Sequence, residues 1–372
     1  NFPLPAKIDP TYQSTLVFPK DLGIKVENLS ENNKMIVGQW YQVAFKENIY
    51  VSAIEAKHVD NSILKSFTQN VNKLDDKELN SLTYLVAFDL DSYELEFING
   101  TEHPDVGWSP RVLDKVKTKD NGPDGFNTKE PIITTGKVPP IDRELTVATF
   151  TGGFKRDHAA FRWGPLSTIN KGSHYGIIET GVIFSSLNPQ LATLVITKDK
   201  NIIFKTWEEQ DWQTLQNSIK HARQNGVPII DGIDITSQLP IPSKFVNKWG
   251  DGNWSGSTSS TQRALRAGIC IQNKEKKQFL IYAYFSSATP NSMARIFQAY
   301  SCHYAMHLDM NALEHTYLAL YHKTEQNYLK IEHLIDEMKV LDVEYQDYIL
   351  ARFLHIADNR DFFYLKQKTK GK

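Results

Sequence analysis

The sequence predicts an α+β protein: a mixed β-sheet with helices packed on it, gathered mainly in one large domain. Three observations carry this expectation. Apolar runs of strand length recur along the chain, among them "LTYLVAFDLDSYELEFING", "LTVATFTGGF", "YGIIETGVIF", "LATLVIT" and "NIIFKTW". Two other stretches carry apolar residues at helical spacing. Finally, "QFLIYAYF", a helix and "YAMHLDM" follow one another in β-α-β order.

Taken in order, residues 1–80 mix short apolar runs with helix-like charge patterning, as in "DNSILKSFTQNVNKL", and are expected to form an N-terminal extension or small subdomain ahead of a main domain at 81–368. The alternating stretch from "LTYLVAF" to Asn99-Gly100 predicts a strand pair closed by a turn. A loop rich in Gly, Pro, Asp and Lys runs from "VKTKDNGPDGFNTKEP" to "KVPPIDRE", of the kind that lies on the surface and forms the wall of a site. The strand signals then become dense, and "LATLVIT" and "NIIFKTW" are joined across Lys198-Asp199-Lys200. In "EEQDWQTLQNSIKHARQNG", Trp212, Leu215, Ile219 and Ala222 share one helical face, and Gly226 and Pro228 end the predicted helix. A second helix begins at Thr289-Pro290, a cap residue followed by proline at the first helical position, and puts Met293, Ile296, Phe297 and Tyr300 on one stripe. The tail, "KIEHLIDEMKVLDVEYQDYILARFLHIADNRDFFYL", has helical spacing and then a closing strand, read as structural packing.

Composition narrows the function. With 372 residues, 41% of them hydrophobic, the chain can fill a real core. Its net charge of −1 and lack of any Lys/Arg block argue against a nucleic-acid partner, and no apolar run is long enough for membrane insertion as a helix. Cys270 and Cys302 are too few for a disulfide scaffold; they fall in or beside predicted strands that could be neighbours, and buried free thiols are the expected state. Sequons at Asn28, Asn99 and Asn253 are about what chance supplies. The chain opens without methionine or a visible signal peptide, as a processed or trimmed form would.

The densest chemistry lies in "YSCHYAMHLDMNALEH", residues 300–315. At the two-residue period of a strand, His303, Ala305, His307 and Asp309 face one side, while Tyr304, Met306 and Leu308 face the other. Asp309 falls at the C-terminal end of the predicted strand, where such sheets commonly present functional side chains. His303, His307 and Asp309 could share a metal, but steps of about 6–7 Å between alternate strand residues keep three side chains off one ion unless the strand bends. Hydrogen-bonded histidines are expected, and no cofactor or metal is called for.

The ordered segments resemble the bacterial phosphodiester glycosidase family, related to the enzyme that uncovers mannose 6-phosphate. "VATFTGGFKRDHAAFRWG" is similar to the family's Asn-Gly-Gly-Phe segment, "YGIIETGVIFSSLNPQLATLVITKDKNIIFKTW" to the strand pairs after it, and "ARQNGVPIIDG" with "KWGDGNWSGSTSSTQRALRAGI" to the approach to its arginine strand. "YAMHLDMN" corresponds to the strand ending in Leu-Asp, and the likeness spans roughly residues 84 to 365. The sequence also departs from the family. Thr151 stands where better-known members have asparagine, and Met310-Asn311 stands for the Gly-Gly of their Leu-Asp-Gly-Gly loop, although a bacterial branch carries Leu-Asp-Ile-Asn.

The resemblance implies a glycoside hydrolase with a saccharide or glycosyl phosphodiester substrate, in the periplasm or secreted. Phosphate is a good leaving group, so one carboxylate and a cation suffice for much of the chemistry. Asp309 is then nucleophile or general base; His307 orients it or passes a proton; Glu179, at a turn, is the second carboxyl; and Arg263 or Arg266 clamps the phosphate. Gly152, Gly153, Asn311, Asp157, His158 and Arg162 complete the expected substrate-binding set, with Trp163 beside them as a sugar-stacking face or a loop rim. The competing reading is a catalytically inactive carbohydrate-binding protein on the same scaffold.

Overall fold

The computed structural model describes residues 2–369 apart from 30–32, 111, 120–121, 123, 125, 156–157, 159–174, 249–260 and 347. Strands of the three large sheets are numbered in chain order. They are β1 (Tyr41–Gln42), β2 (Ile49–Glu55), β3 (Leu82–Asp89), β4 (Tyr93–Ile98), β5 (Thr146–Thr151), β6 (Ile177–Glu179), β7 (Val182–Ser185), β8 (Ala192–Thr197) and β9 (Ile202–Thr206). There follow β10 (Ile219–Gln224), β11 (Pro228–Ile233), β12 (Pro240–Pro242), β13 (Ala264–Lys274), β14 (Lys277–Ala288), helix α1 (Pro290–Ala299), β15 (Tyr304–Met310), β16 (Leu318–Lys323), β17 (Leu329–His333) and β18 (Phe362–Gln367).

Sheet A has eight strands in the order β12-β11-β15-β13-β14-β3-β2-β1; sheet B has five, β9-β8-β10-β6-β7; and sheet C has five, β17-β16-β5-β18-β4. The fold is sheet-dominated α+β. The expected mixed sheet is corrected in one respect: the ladders between these strands run antiparallel. The β-α-β order is present, with β14 and β15 lying on either side of β13, so the crossover through α1 skips one strand. Thr289 caps α1 by accepting from the Asn291 and Ser292 N–H groups, and Pro290 occupies the first turn, as the sequence implies.

Two hairpins match expectation: β8–β9 turns at Lys200, and β6–β7 turns at Thr180-Gly181, both with positive φ. The expected pair at 82–98 forms as two strands that do not pair with each other. β3 joins β14 and β2 in sheet A, whereas β4 joins β18 in sheet C, so this segment hands the chain from one sheet to the other. Residues 1–80 share the same core: β2 pairs with β3, and Val43, Val51 and Ile54 are buried in the continuous apolar cluster that includes Phe88, Phe150 and Ile281.

The predicted helix over 207–226 is corrected. Only Asp211–Leu215 is helical, and Ile219–Gln224 is β10, the central strand of sheet B. The expected stripe still meets: Trp212, Leu215, Ile219 and Ala222 share one small cluster on the outer face of sheet B, brought together by a single helical turn folding over a strand. In the tail, the closing strand is β18, but helical spacing at 329–350 yields β17, a 3-10 turn at Asp336–Leu341 and a two-stranded ribbon. Strand pairing satisfies the backbone there, overriding the local periodicity.

The cysteines are also corrected, because Cys270 and Cys302 form a disulfide with Cα atoms 5.8 Å apart. Cys270 sits mid-strand in β13, and the crossover returns Cys302 beside it just before β15 begins. The bond spans 32 residues, and closing a loop of that length restricts the unfolded chain by up to about 3–4 kcal/mol. Reduction, or the Cys270→Ala/Cys302→Ala double variant, is expected to lower the thermal midpoint without changing the folded circular dichroism; unchanged stability on reduction would refute a structural role.

Candidate functional site

The three sheets meet around one buried ion pair. Arg223, on β10 of sheet B, and Asp361, immediately before β18 of sheet C, are both fully buried and bonded twice, Nε to Oδ2 at 2.9 Å and Nη2 to Oδ1 at 3.1 Å. The guanidinium also donates Nη2 to the Phe154 carbonyl and Nη1 to the Gln224 carbonyl. Asp361 also accepts from the Gly153 N–H, and its own carbonyl accepts from Gly152. Burial would raise the Asp361 pKa, yet Arg223 outweighs burial and holds it below the usual carboxylate range.

This arrangement explains Gly152-Gly153 after β5. A Cβ on Gly152 would lie 2.1 Å from Asp361 Oδ2, and one on Gly153 would lie 2.7 Å from both Arg223 Nη2 and Asn225 Oδ1. The glycines let backbone amides close on the ion pair. In the same corner, the Asn225 side chain accepts from the Phe154 N–H and donates to two successive carbonyls of β15, those of His307 and Leu308.

Successive carbonyls can reach one amide because β15 is bulged there. Gly268 pairs with His307, but Arg266 pairs with Met310, so β15 carries one more residue between these pairs than β13 does. The bulge breaks the two-residue period that would have put His307 and Asp309 on one face. His307, fully buried, turns toward Arg266 and the Phe154 ring, which stacks on it with centroids 5.4 Å apart. Its Nδ1–H donates to the Leu308 carbonyl, leaving Nε2 to accept from Arg266 at 3.2 Å, and burial with the adjacent guanidinium holds its pKa well below the ordinary imidazole value.

Asp309 turns instead toward Arg360, which donates Nη1 to Oδ2, while the Met310 N–H donates to Oδ1 at 2.8 Å. The second arm of Arg360, Nη2, lies 2.5 Å from His315 Nε2, which also faces Glu314 Oε1 at 2.8 Å, and the His315 Nδ1–H donates to the Met310 carbonyl. Arg360 is itself presented by a braced turn. Asp358 accepts from the Arg360 N–H at 2.8 Å and from Arg352 Nε at 2.7 Å, and Arg352 Nη1 reaches the Glu314 carbonyl at 2.6 Å. Despite Arg360, burial pushes the Asp309 carboxyl up to about 6.

Glu179, at the end of β6, is half-buried and accepts from the Asn99 N–H at 3.1 Å, and burial pushes it up to about 7. Asn99 follows β4 directly opposite Asp361, because Ile98 pairs with Phe362. Its side-chain amide is fully buried, with no hydrogen-bond partner among the described residues. Two carboxyls that hold protons near neutrality, one of them beside an arginine, are suited to general acid–base work.

The remaining sequence-derived residues fall as follows. Arg266 is fully buried, its pKa lowered to about 9 by burial, and donates to the carbonyls of Ala288 and Gln262 and to Met310 Sδ. Arg263 is partly exposed and pairs with Asp75. Asn311 is exposed at φ 83°, a left-handed conformation that asparagine tolerates and that glycine would otherwise supply. His158 is exposed, while Asp157, Arg162 and Trp163 lie outside the described residues, as does Asn253. Among the described residues no cluster could hold a metal ion, and His303 accepts from the Asn273 N–H, away from Asp309. Sequence reasoning missed Arg360, His315, Arg223, Asp361 and Asn225. A usable signal was present in "DNRDFF", where charges crowd against the start of an apolar strand.

Breaking one side of the Arg223–Asp361 pair, by Arg223→Ala or Asp361→Ala, is expected to cost about 3–5 kcal/mol in chemical denaturation because it strands a buried charge; a loss under 1 kcal/mol would remove the pair from its structural role. For Asp309 the folded-state pKa lies above the unfolded value, so the native state binds the extra proton and stability falls as pH rises from about 4 to about 6. The stability of Asp309→Asn relative to wild type should therefore rise across that window, by on the order of 2 kcal/mol. A pH-independent difference in denaturation midpoints would contradict the raised pKa.

No protein-family model and no curated protein matches the chain. Among solved structures, the zebrafish N-acetylglucosamine-1-phosphodiester alpha-N-acetylglucosaminidase catalytic domain, auto-inhibited by its pro-peptide, aligns over 87% of this chain and 85% of that one, at 11% identity and a TM-score of 0.41. A protein from Burkholderia pseudomallei aligns over 68% of this chain and 74% of that one, at 7% identity and a TM-score of 0.22. Both likenesses are distant.

Proposed function

We propose that this chain is a glycoside hydrolase whose reaction centre is Asp309, acting on a sugar phosphodiester or a glycan of the bacterial envelope. The observation that carries the reading is the placement of Asp309: a buried carboxyl re-aimed by a strand bulge, kept protonated to about pH 6 and held against an arginine with two ordered arms. Packing alone does not call for such a group, since an apolar side chain would fill the position at lower cost. The ordered sequence segments described above support the same reaction class.

In this reading ionised Asp309 attacks the anomeric carbon or activates water, and Arg360 stabilises the departing phosphate, the part the sequence assigned to Arg263 or Arg266. Arg266 is a positioning residue that holds His307 and the bulge. Glu179, protonated to about pH 7, supplies a proton where the leaving group needs one. The Asn99 side-chain amide beside Glu179, which has no hydrogen-bond partner among the described residues, is suited to bind a substrate hydroxyl or acetamido group. The Cys270–Cys302 disulfide supports a periplasmic or secreted location, because such bonds persist in oxidising compartments.

The test is to incubate wild type and Asp309→Asn with phosphodiester-linked N-acetylglucosamine and with envelope glycans, following released sugar by mass spectrometry. Release by the wild type alone is expected, with kcat/KM rising as Asp309 ionises near pH 6 and falling as Glu179 ionises near pH 7. Saccharide binding by both forms with no release from any substrate would replace the enzyme with a carbohydrate-binding protein; equal release by both forms would remove Asp309 from the chemistry.

A further inference from the structure

The far end of sheet C holds a second polar site. β5 begins at Thr146 and leads to Gly152, and β18 leads away from Asp361 to Gln367. Thr146 and Gln367 therefore lie at the opposite end of the sheet from the ion pair, on the order of 20 Å away at the usual strand rise. Between them and β16 is a groove of about 670 Å³, a size that suits a small organic ligand.

The groove is cationic on one side. Lys46 and Arg143 both line it, and among the described residues neither has a carboxylate within ion-pairing distance: Lys46 Nζ donates to the Gln367 side chain at 3.3 Å, and Arg143 Nε to the Val138 carbonyl at 3.4 Å. The one acidic lining residue, Glu144, is already paired with Lys323. His355 accepts the Ala351 N–H on Nδ1, which leaves its proton on Nε2 as a further donor, and the Arg143 charge adds to burial in keeping that ring neutral. Partial burial lowers the Lys46 pKa. In the same lining the Phe45 ring, next to Lys46 in the chain, stacks on His322 with centroids 3.7 Å apart, and Leu354 adds apolar surface.

Two uncompensated cations beside a flat stacked surface form a receptor for an organic anion rather than for a bare ion or a neutral sugar. We propose that this groove binds a sugar-sized organic anion, with Lys46 and Arg143 holding its phosphate or carboxylate and the Phe45–His322 stack lying along its ring. The site is separate from Asp309 and stands whether or not the chain is a hydrolase.

The test is isothermal titration of wild type, Lys46→Ala/Arg143→Ala, Lys46→Gln/Arg143→Gln and Asp309→Asn with inorganic phosphate, glucose 6-phosphate, glucuronate and glucose. Wild type and Asp309→Asn are expected to bind glucose 6-phosphate or glucuronate alike, at least tenfold more tightly than either double variant does, with no heat from glucose. Preference between the two anions decides whether phosphate or carboxylate is the natural group. The proposal is overturned if neither organic anion binds the wild type, if glucose or inorganic phosphate binds as well as they do, if a folded double variant retains full affinity, or if Asp309→Asn abolishes binding. Thermal melts identify the folded variants, and the glutamine pair keeps the side-chain volume should the alanine pair unfold.

Discussion

The candidate site depends on the Arg223–Asp361 ion pair. Sealing two charges from water costs several kcal/mol per ion, and attraction between them repays this only when the remaining donors and acceptors are also satisfied. Here they are met by Phe154, Gln224 and the Gly153 amide. Phe154 and the Gly153 amide lie far along the chain from the charges they serve, whereas the Gln224 carbonyl comes from Arg223's own neighbour, so the pair is fully satisfied only if sheets B and C are correctly apposed. Asn225, two residues after Arg223, extends the constraint to sheet A by holding two carbonyls of β15. The geometry of Asp309 is thus inherited from a salt bridge that never touches it.

The bulge transmits that constraint. A regular β15 would present His307 and Asp309 together, and the carboxylate would then compete with the imidazole for the Arg266 guanidinium. The extra residue separates them into two environments: a dry one, where His307 stays neutral between Arg266 and Phe154, and a polar one, where Asp309 meets Arg360 and His315. Met310 links the two, its sulfur against Arg266 and its backbone N–H and carbonyl on Asp309 and His315. The Met-Asn pair after Asp309 is therefore more than a lost glycine loop: methionine supplies the link, and asparagine takes the positive φ.

Much of this was legible in the sequence, and the failures share a cause. Strand runs, the α1 cap and the position of Asp309 at a strand end are local properties, and they can be read locally. Arg223 was hidden because "KHARQ" looks like the polar face of a helix, whereas His221, Arg223 and Gln224 are buried and paired with Glu96, Asp361 and Asn188. Buried polar residues in a central strand mimic solvated ones until their partners are known, and those partners lie 125, 138 and 36 residues away. The Cys270–Cys302 bond escaped for the same reason, since only the crossover past β13 shows that the two sulfurs meet. Arg360 stands among four consecutive polar residues that read as a loop, and the bulge leaves no mark on the alternation of His307, Leu308, Asp309 and Met310, which reads as a regular strand.

Two buried aspartates of the site are held in opposite protonation regimes. Asp361 and Asp309 are both buried and both face an arginine, yet one is held below the ordinary carboxylate range and the other is raised to about 6. The difference lies in how completely the ionised form is solvated by the protein. Asp361 has two guanidinium bonds and a backbone amide, whereas Asp309 has one arm of a guanidinium that is shared with His315, plus a single amide. A carboxyl optimised for stability resembles Asp361. Asp309 lacks such compensation, so burial leaves its protonation within reach of neutral pH, where the number of donors around it decides its charge.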